Sequence, residues 1–248
     1  MSEPLVALIT GASQGIGAAT ARAFAEAGHK VVIAARSKDK LEAAAASMGA
    51  NATPVVCDVS DPASVAALFD RITAVHGRLD VIFNNAGVNV PPRDVGDISW
   101  EDWRKVVSIN LDGAFLIASG AFRMMKNQMP QGGRIINNGS ISAHAPRYNS
   151  VPYTASKHAI TGLTKTISLD GRPYSIACGQ IDIGNCASEM TARMARGVPQ
   201  ADGTLKTEPT MDVRYVADAV LRMAELPLSA NVLFQTIMAT NMPFVGRG

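Results

Sequence analysis

Several large classes of protein are excluded by what this sequence has little of. Its three cysteines, Cys57, Cys178 and Cys186, are odd in number and scattered over 248 residues. They form no CxxC pair and have no matching histidine spacing, so neither a disulfide framework nor a zinc site is expected, and no metal. Aromatic residues make up 5% and charged residues 18%, the latter below an average soluble chain. The net charge of +2 is close to balanced and contains no block of one sign. Nothing therefore points to nucleic acid or a membrane as partner. The longest apolar runs, such as 5–10 and 31–35, are strand-length and too short to cross a bilayer. The N-terminus has no basic stretch followed by a long apolar segment, so no signal peptide is expected and a reducing, cytoplasmic setting is.

What is present is an apolar fraction of 47%, ample for a sizeable core. β-Branched apolar segments predict strands over 5–10, 30–35, 54–58, 79–83, 133–138, 175–182 and 231–238. Several are apolar throughout, as strands buried on both faces are. Helical patterns lie between them, over 16–27, 38–47, 62–76, 100–128, 151–169 and 213–226. Pro62 suits a first helical turn with Asp61 or Ser60 as cap, and Gly28 and Gly77 suit helix stops. This alternation predicts an α/β fold of the Rossmann type: a doubly wound parallel sheet of about seven strands with helices on both faces. No repeat or linker divides the chain, so 1–248 is expected to be one domain. The stretch 184–212 breaks the rhythm with scattered Gly, Pro and Met, and is either a substrate loop or lid or a surface excursion.

Thr10, Gly11, Ala12, Ser13, Gln14, Gly15, Ile16 and Gly17 close the first strand and open the first helix. Glycines at such a junction let backbone N–H groups approach a pyrophosphate, and the helix N-terminus adds favourable dipole. The Gly-x-x-x-Gly-x-Gly spacing differs from the commoner Gly-x-Gly-x-x-Gly, so position carries the inference. At the end of the second strand, an NAD site would place an acid for the ribose hydroxyls. Here Ala35 and Arg36 stand instead, and a guanidinium pairs with a 2′-phosphate, which favours NADP(H).

Tyr153 and Lys157 are four apart on a predicted helix and share a face. A phenol of pKa about 10 is a poor base at neutral pH, and a nearby ammonium is expected to lower it. Ser140 follows the predicted strand 133–138 at its C-terminal end, where such sheets bind ligands. A hydroxyl there donates to a carbonyl oxygen as charge builds on it.

With these features the sequence resembles the short-chain dehydrogenase/reductase family over essentially its whole length. The resemblance rests on 10–17, on Cys57-Asp58-Val59, on Asn84-Asn85-Ala86-Gly87, on 109–113, on Ser140 lying 13 positions before Tyr153, and on Tyr153-Thr154-Ala155-Ser156-Lys157. It implies a hydride transfer between NADP(H) and a small carbonyl or secondary-alcohol substrate. It further implies that Asp58, with Val59, holds adenine, and that Asn85, Ala86 and Gly87 support the cofactor. Tyr153 would exchange the proton, Lys157 would bind ribose and lower the Tyr pKa, and Ser140 would orient the substrate oxygen. Asn110 would bend its helix and hold a water in a proton relay; a bare helix kink is the other reading.

The sequence departs from the family in two places. Where relatives have a Pro-Gly turn and a Val-x-Thr run, this chain has Ile183, Gly184, Cys186 and Ser188. Ser188 keeps a hydroxyl and Cys186 a backbone N–H for the nicotinamide. The tail over 231–248 lacks the usual Asp-Gly-Gly turn, and its Phe244 and Val245 either cover a neighbouring subunit, as in family dimers and tetramers, or pack on their own core. Ser142, His144 and Met190 are candidates for the substrate pocket. The competing readings are a non-catalytic NADP-binding sensor or scaffold, and an epimerase or lyase on the same fold.

Overall fold

The computed structural model describes residues 3–187, 197–200 and 202–245. Seven strands form one parallel sheet in the order β3-β2-β1-β4-β5-β6-β9. They are β1 (Val6–Thr10), β2 (Lys30–Ala35), β3 (Ala52–Val56), β4 (Val81–Asn84), β5 (Gly133–Asn138), β6 (Ile176–Ile183) and β9 (Phe234–Ile237). A separate two-residue ladder pairs β7 (Val198–Pro199) with β8 (Leu205–Lys206), inside the stretch that breaks the sequence rhythm.

Every residue of β1 and β4 is buried, which explains their unbroken apolar character. Alternate side chains serve the two faces: Ala7 and Ile9 join one core with Phe24, Val220 and Met223, while Val6 and Leu8 join the other with Leu68, Ile72 and Ile117. The first face carries α1 (Gly15–Glu26), α2 (Lys38–Ala46) and α7 (Val213–Glu225); the second carries α3 (Pro62–His76), α5 (Ala114–Asn127) and α6 (Val151–Asp170). Asp61 caps α3 by accepting from the Ala63 N–H, Pro62 opens the helix, and Gly77 ends it at φ 69°.

The helix expected over 100–128 is interrupted. α4 (Trp100–Val107) passes through a π-helical turn, Ser108–Gly113, before α5 begins. Tertiary bonds account for the extra residue in that turn. The Asn110 amide pairs with both the N–H and the C=O of Val88, at 2.8 and 2.9 Å, and Gly113 sits against Val59, where a Cβ would collide. Joined end to end, Trp100–Asn127 is long and apolar enough to span a membrane, unlike the short runs seen in sequence, yet half of it is buried within the fold. The last strand is shorter than the expected 231–238, because the Asn231 side chain, not its backbone, reaches β6 by donating to the Cys178 carbonyl at 2.7 Å.

Candidate active site

Strand order reverses between β1 and β4, and two connected cavities lie outside the C-terminal ends of these strands. One, of about 400 Å³, is bordered by Gly11, Ser13, Arg36, Asp58, Val59 and Ala86. The other, of about 160 Å³, is bordered by Gly15, Ile16, Gly17, Asn85, Tyr153, Lys157, Gly184 and Cys186. Gln14 and Gly87 belong to both. Apart from Ser188, which lies outside the described residues, every expected cofactor residue therefore borders this one groove.

The glycine turn is built from backbone geometry. Gly11 and Gly15 take φ of 65° and 57°, which bulkier residues adopt only with strain. A Cβ on Gly17 would lie 2.7 Å from Asn85 Nδ2 and 2.8 Å from the Gly11 carbonyl carbon, so glycine is what lets α1 seat against β1. Thr10 Oγ1 accepts from the N–H groups of Asn85 (2.9 Å) and Ala86 (3.0 Å). Asn85 Nδ2 donates to the Thr10 carbonyl, and Asn138 Nδ2 donates to Asn85 Oδ1 at 2.7 Å. Lys157 Nζ donates to the Asn138 carbonyl at 2.7 Å. A continuous polar chain thus runs along the strand ends from the glycine turn to Lys157. At the far end, Asp58 Oδ1 accepts from the N–H and hydroxyl of Ser60, which hold the carboxyl below its usual range. Lys40 reaches back to Gln14 Oε1 at 3.1 Å beside Arg36.

Ser140 lies close enough to Tyr153 for its hydroxyl to act on the phenol, and the Ser142 N–H donates to Ser140 Oγ at 3.1 Å. The electrostatics depart from expectation. Burial pushes the Tyr153 phenol up, and the Ser140 hydroxyl and Arg147 guanidinium pull it back only in part. Lys157 sits 5.5 Å from the Tyr153 ring centre with its ammonium on Asn138, and burial lowers its own pKa to about 8 against the pull of Asp182. The expected lowering of the Tyr pKa by Lys157 is thus replaced by a phenol raised by desolvation.

Two further expectations are altered. Ser142 is buried and serves as a strut for Ser140, not as a pocket wall. His144 is not free in the pocket: its Nε2 meets Asp182 Oδ2 at 2.7 Å, and its ring packs edge-on to Phe244, which itself lies on the protein's own core. Met190 lies outside the described residues. The altered turn after β6 is pinned by Met211, whose carbonyl accepts from Ala187 N–H at 2.8 Å, and Cys186 is buried.

Sequence reasoning missed Asp182. Its carboxylate is fully buried and accepts from the Ser140 N–H (2.9 Å), from Gln180 Nε2 (2.7 Å) and from His144. Gly139 makes room for it, since a side chain there would strike Asp182 and Gln180. An acid two positions after Gln180, in a run 176–183 that is otherwise free of polar side chains, is the available signal. Gln180 continues inward to Thr164 and Asn137, so a buried polar layer lies beneath the site between the sheet and α6.

Comparison with known proteins shows the family and the fold. The family model described as short chain dehydrogenase matches residues 5–198. The 3beta-hydroxysteroid dehydrogenase of Mediterraneibacter gnavus is 33% identical over 196 residues, covering 78% of this chain and 70% of that protein. Tropinone reductase-like 1 of Erythroxylum coca is 35% identical over 235 residues, covering 90% and 84%. The structure of 3-ketoacyl-(acyl-carrier-protein) reductase from Brucella melitensis complexed with NADH superposes with a TM-score of 0.85 at 26% identity, covering 94% and 96%. This chain belongs to the short chain dehydrogenase family of oxidoreductases.

Proposed function

We propose that this protein transfers a hydride between NADP(H) and a carbonyl or secondary alcohol, with Tyr153 as the proton donor or acceptor. The observation that carries this reading is that Tyr153 and Lys157 open into the same cavity as the glycine turn. The groove suits a dinucleotide: α1 presents its first-turn N–H groups with no acidic residue among them, and Arg36 and Lys40 stand at the opposite end. When bound, the nicotinamide supplies or takes up the hydride. Gly15, Ile16 and Gly17 hold the pyrophosphate, Asp58 the adenine, Arg36 the 2′-phosphate and Lys157 the ribose. Ser140 orients the substrate oxygen while Tyr153 exchanges its proton. Asn110 shapes the wall against α6, its amide pairing with the N–H and C=O of Val88 and reaching Ser156 Oγ at 3.4 Å, and its place there suits the water of the proton relay.

The chain acts as one domain on this reading, with small molecules as partners. We also take it to be a homo-oligomer working in a reducing, cytoplasmic setting. In support, β9 is an edge strand that begins at exposed Phe234 next to exposed Leu233, and the three cysteines are buried and in no disulfide. The test is a panel of carbonyls and alcohols with each nicotinamide cofactor, followed by absorbance. Turnover with NADP(H) is expected; none with either cofactor would refute the assignment. Arg36→Leu should weaken NADPH by about 10-fold to 100-fold, the worth of a lost charge-assisted pair, and leave NADH nearly unchanged. Equal losses would remove Arg36 from the account.

A further inference from the structure

Two groups of opposite charge grip the C-terminal end of β5. The Lys157 ammonium donates to the Asn138 carbonyl at 2.7 Å, and the Asp182 carboxylate accepts from the Ser140 N–H at 2.9 Å. Gly139 stands between these two peptide groups. Its own N–H donates to the Ile181 carbonyl at 2.9 Å, and a side chain there would strike Asp182. Ser140 Oγ accepts from the Ser142 N–H, which leaves its O–H to donate elsewhere. The direction of that hydroxyl thus depends on a backbone segment held by a cation on one side and an anion on the other.

His144 closes the arrangement from outside. It ends the short turn Ile141–Ala143 that Ser140 begins, and its Nε2 meets Asp182 Oδ2 at 2.7 Å. Asp182 therefore holds both ends of the turn, Ser140 through Oδ1 and His144 through Oδ2. The two side chains differ in exposure, 0% for Asp182 and 45% for His144. A carboxylate only accepts, so Nε2 carries the shared proton, and Nδ1 has no partner among the described residues. Nδ1 is then the atom that takes a further proton from water, turning a neutral donor into an imidazolium that cancels the charge on Asp182. Around this pair, among the described residues, Gln180 adds a neutral donor from β6 at 2.7 Å, and Phe244, edge-on to the ring, adds no charge. From α6 comes Lys157, whose ammonium Asp182 supports against burial. Arg147, which contacts Glu208, acts on the Tyr153 phenol instead.

We propose that His144 is a positioning residue for the reaction. Acting through Asp182, it governs the opposed charges that hold the Asn138–Ser140 segment, and the proton it exchanges with solvent decides how much carboxylate charge is left for Ser140 and Lys157. A buried anion shared between a buried ammonium and a solvent-facing imidazole couples the two protonations, each cation weakening the other's hold on its proton. This inference rests on the hydride-transfer reading, in which Ser140 and Lys157 serve the reacting end.

The test compares the full-length wild type with His144→Gln, which keeps a neutral donor beside Asp182, and His144→Arg, which stays positive at every pH. Both replacements fall at an exposed ring, where the fold has room for them. Two readouts are taken across pH. One is the NMR titration of the Lys157 Cε signal in protein carrying isotope-labelled lysine, assigned by its loss in Lys157→Met. The other is the alkaline limb of kcat for carbonyl reduction with NADPH. The Lys157 midpoint, about 8 in the wild type, should lie about one unit lower in the arginine variant than in the glutamine variant, the effect of cancelling one nearby opposite charge. The wild type should fall on or between the two, and the kinetic limb should follow the same order. Coincident midpoints in the two variants, or a wild type outside their range, would overturn the role of His144. A purely structural part would lower kcat in both variants alike without separating the midpoints. Separated midpoints without any turnover would uphold the coupling and refute the hydride-transfer reading; turnover with coincident midpoints would do the reverse.

Discussion

The two halves of the sheet accomplish recognition by different means. From β1 to β4 the site is made of backbone: glycines at φ near 60°, helix N–H groups, and one threonine hydroxyl that gathers two amides. From β5 to β9 it is made of buried side chains: Lys157 on the Asn138 carbonyl, Asp182 under Ser140, and the polar layer from Gln180 to Asn137. A backbone site tolerates no added Cβ, whereas a side-chain site tolerates shape changes but not lost charge or lost acceptors. The contrast separates a half that takes the pyrophosphate and adenine end from a half that holds and tunes the reacting end, and each variant below strikes one half only.

The largest effect after the loss of Tyr153 itself is expected from Asp182→Asn. Its carboxylate faces three donors, so an amide must turn an N–H against one of them. Ser140 should shift, lowering kcat by about 10²-fold, the scale of a small misplacement of a reacting group. Cofactor affinity should hold. Steady-state kinetics beside fluorescence titration of NADPH separate the two, and a variant that loses cofactor binding instead would erase the division between the halves.

Gly17→Ala strikes the other half. The new Cβ meets the Gly11 carbonyl and Asn85, so α1 must move away, at a cost of about 1–3 kcal/mol. Cofactor affinity should fall by about tenfold or more, as read by titration. Unchanged affinity would show that the turn has slack its geometry denies.

Lys157→Met is the smallest change and reverses the usual sign. Burial lowers the Lys157 pKa to about 8, whereas an unfolded lysine titrates near about 10.4. Between these values the unfolded chain holds a proton the folded chain has released, so this group makes stability rise with pH across that window. Below the window the folded state carries the full penalty, about 3 kcal/mol. The lost Asn138 bond offsets part of the gain. The variant should therefore be more stable than the wild type by about 1–2 kcal/mol at pH 7, with the advantage shrinking by pH 10. Urea melts at both pH values check this, and an equal loss at both would contradict it.

The same contrast explains what is legible in the sequence. Glycine spacing and the run 153–157 act over a few positions, so the cofactor turn and the Tyr153–Lys157 pair can be read from neighbouring residues alone. The strand alternation likewise predicts the doubly wound parallel sheet, whose order follows from the pairings. Partners far apart in the chain leave no such local trace. Asp182 meets Ser140 across 42 positions, and Arg147 meets Glu208 across 61. The π-helical turn is equally hidden, because its cause is the Val88 backbone lying beside Asn110. His144 reads as a free pocket group for the same reason: nothing local announces its bond to Asp182.

The central claim is that Tyr153 moves the proton while cofactor affinity, set chiefly by the glycine half, does not depend on its hydroxyl. Its most direct test is Tyr153→Phe, assayed with 4-deuterated NADPH and a carbonyl that the wild type reduces. Deuterium transfer to the product carbon should fall by about 10²–10⁴-fold, the contribution of a positioned acid, with the NADPH dissociation constant unchanged within about twofold. Transfer at the wild-type rate would contradict the assignment of Tyr153, and a matching loss of NADPH affinity would contradict the separation of the two halves.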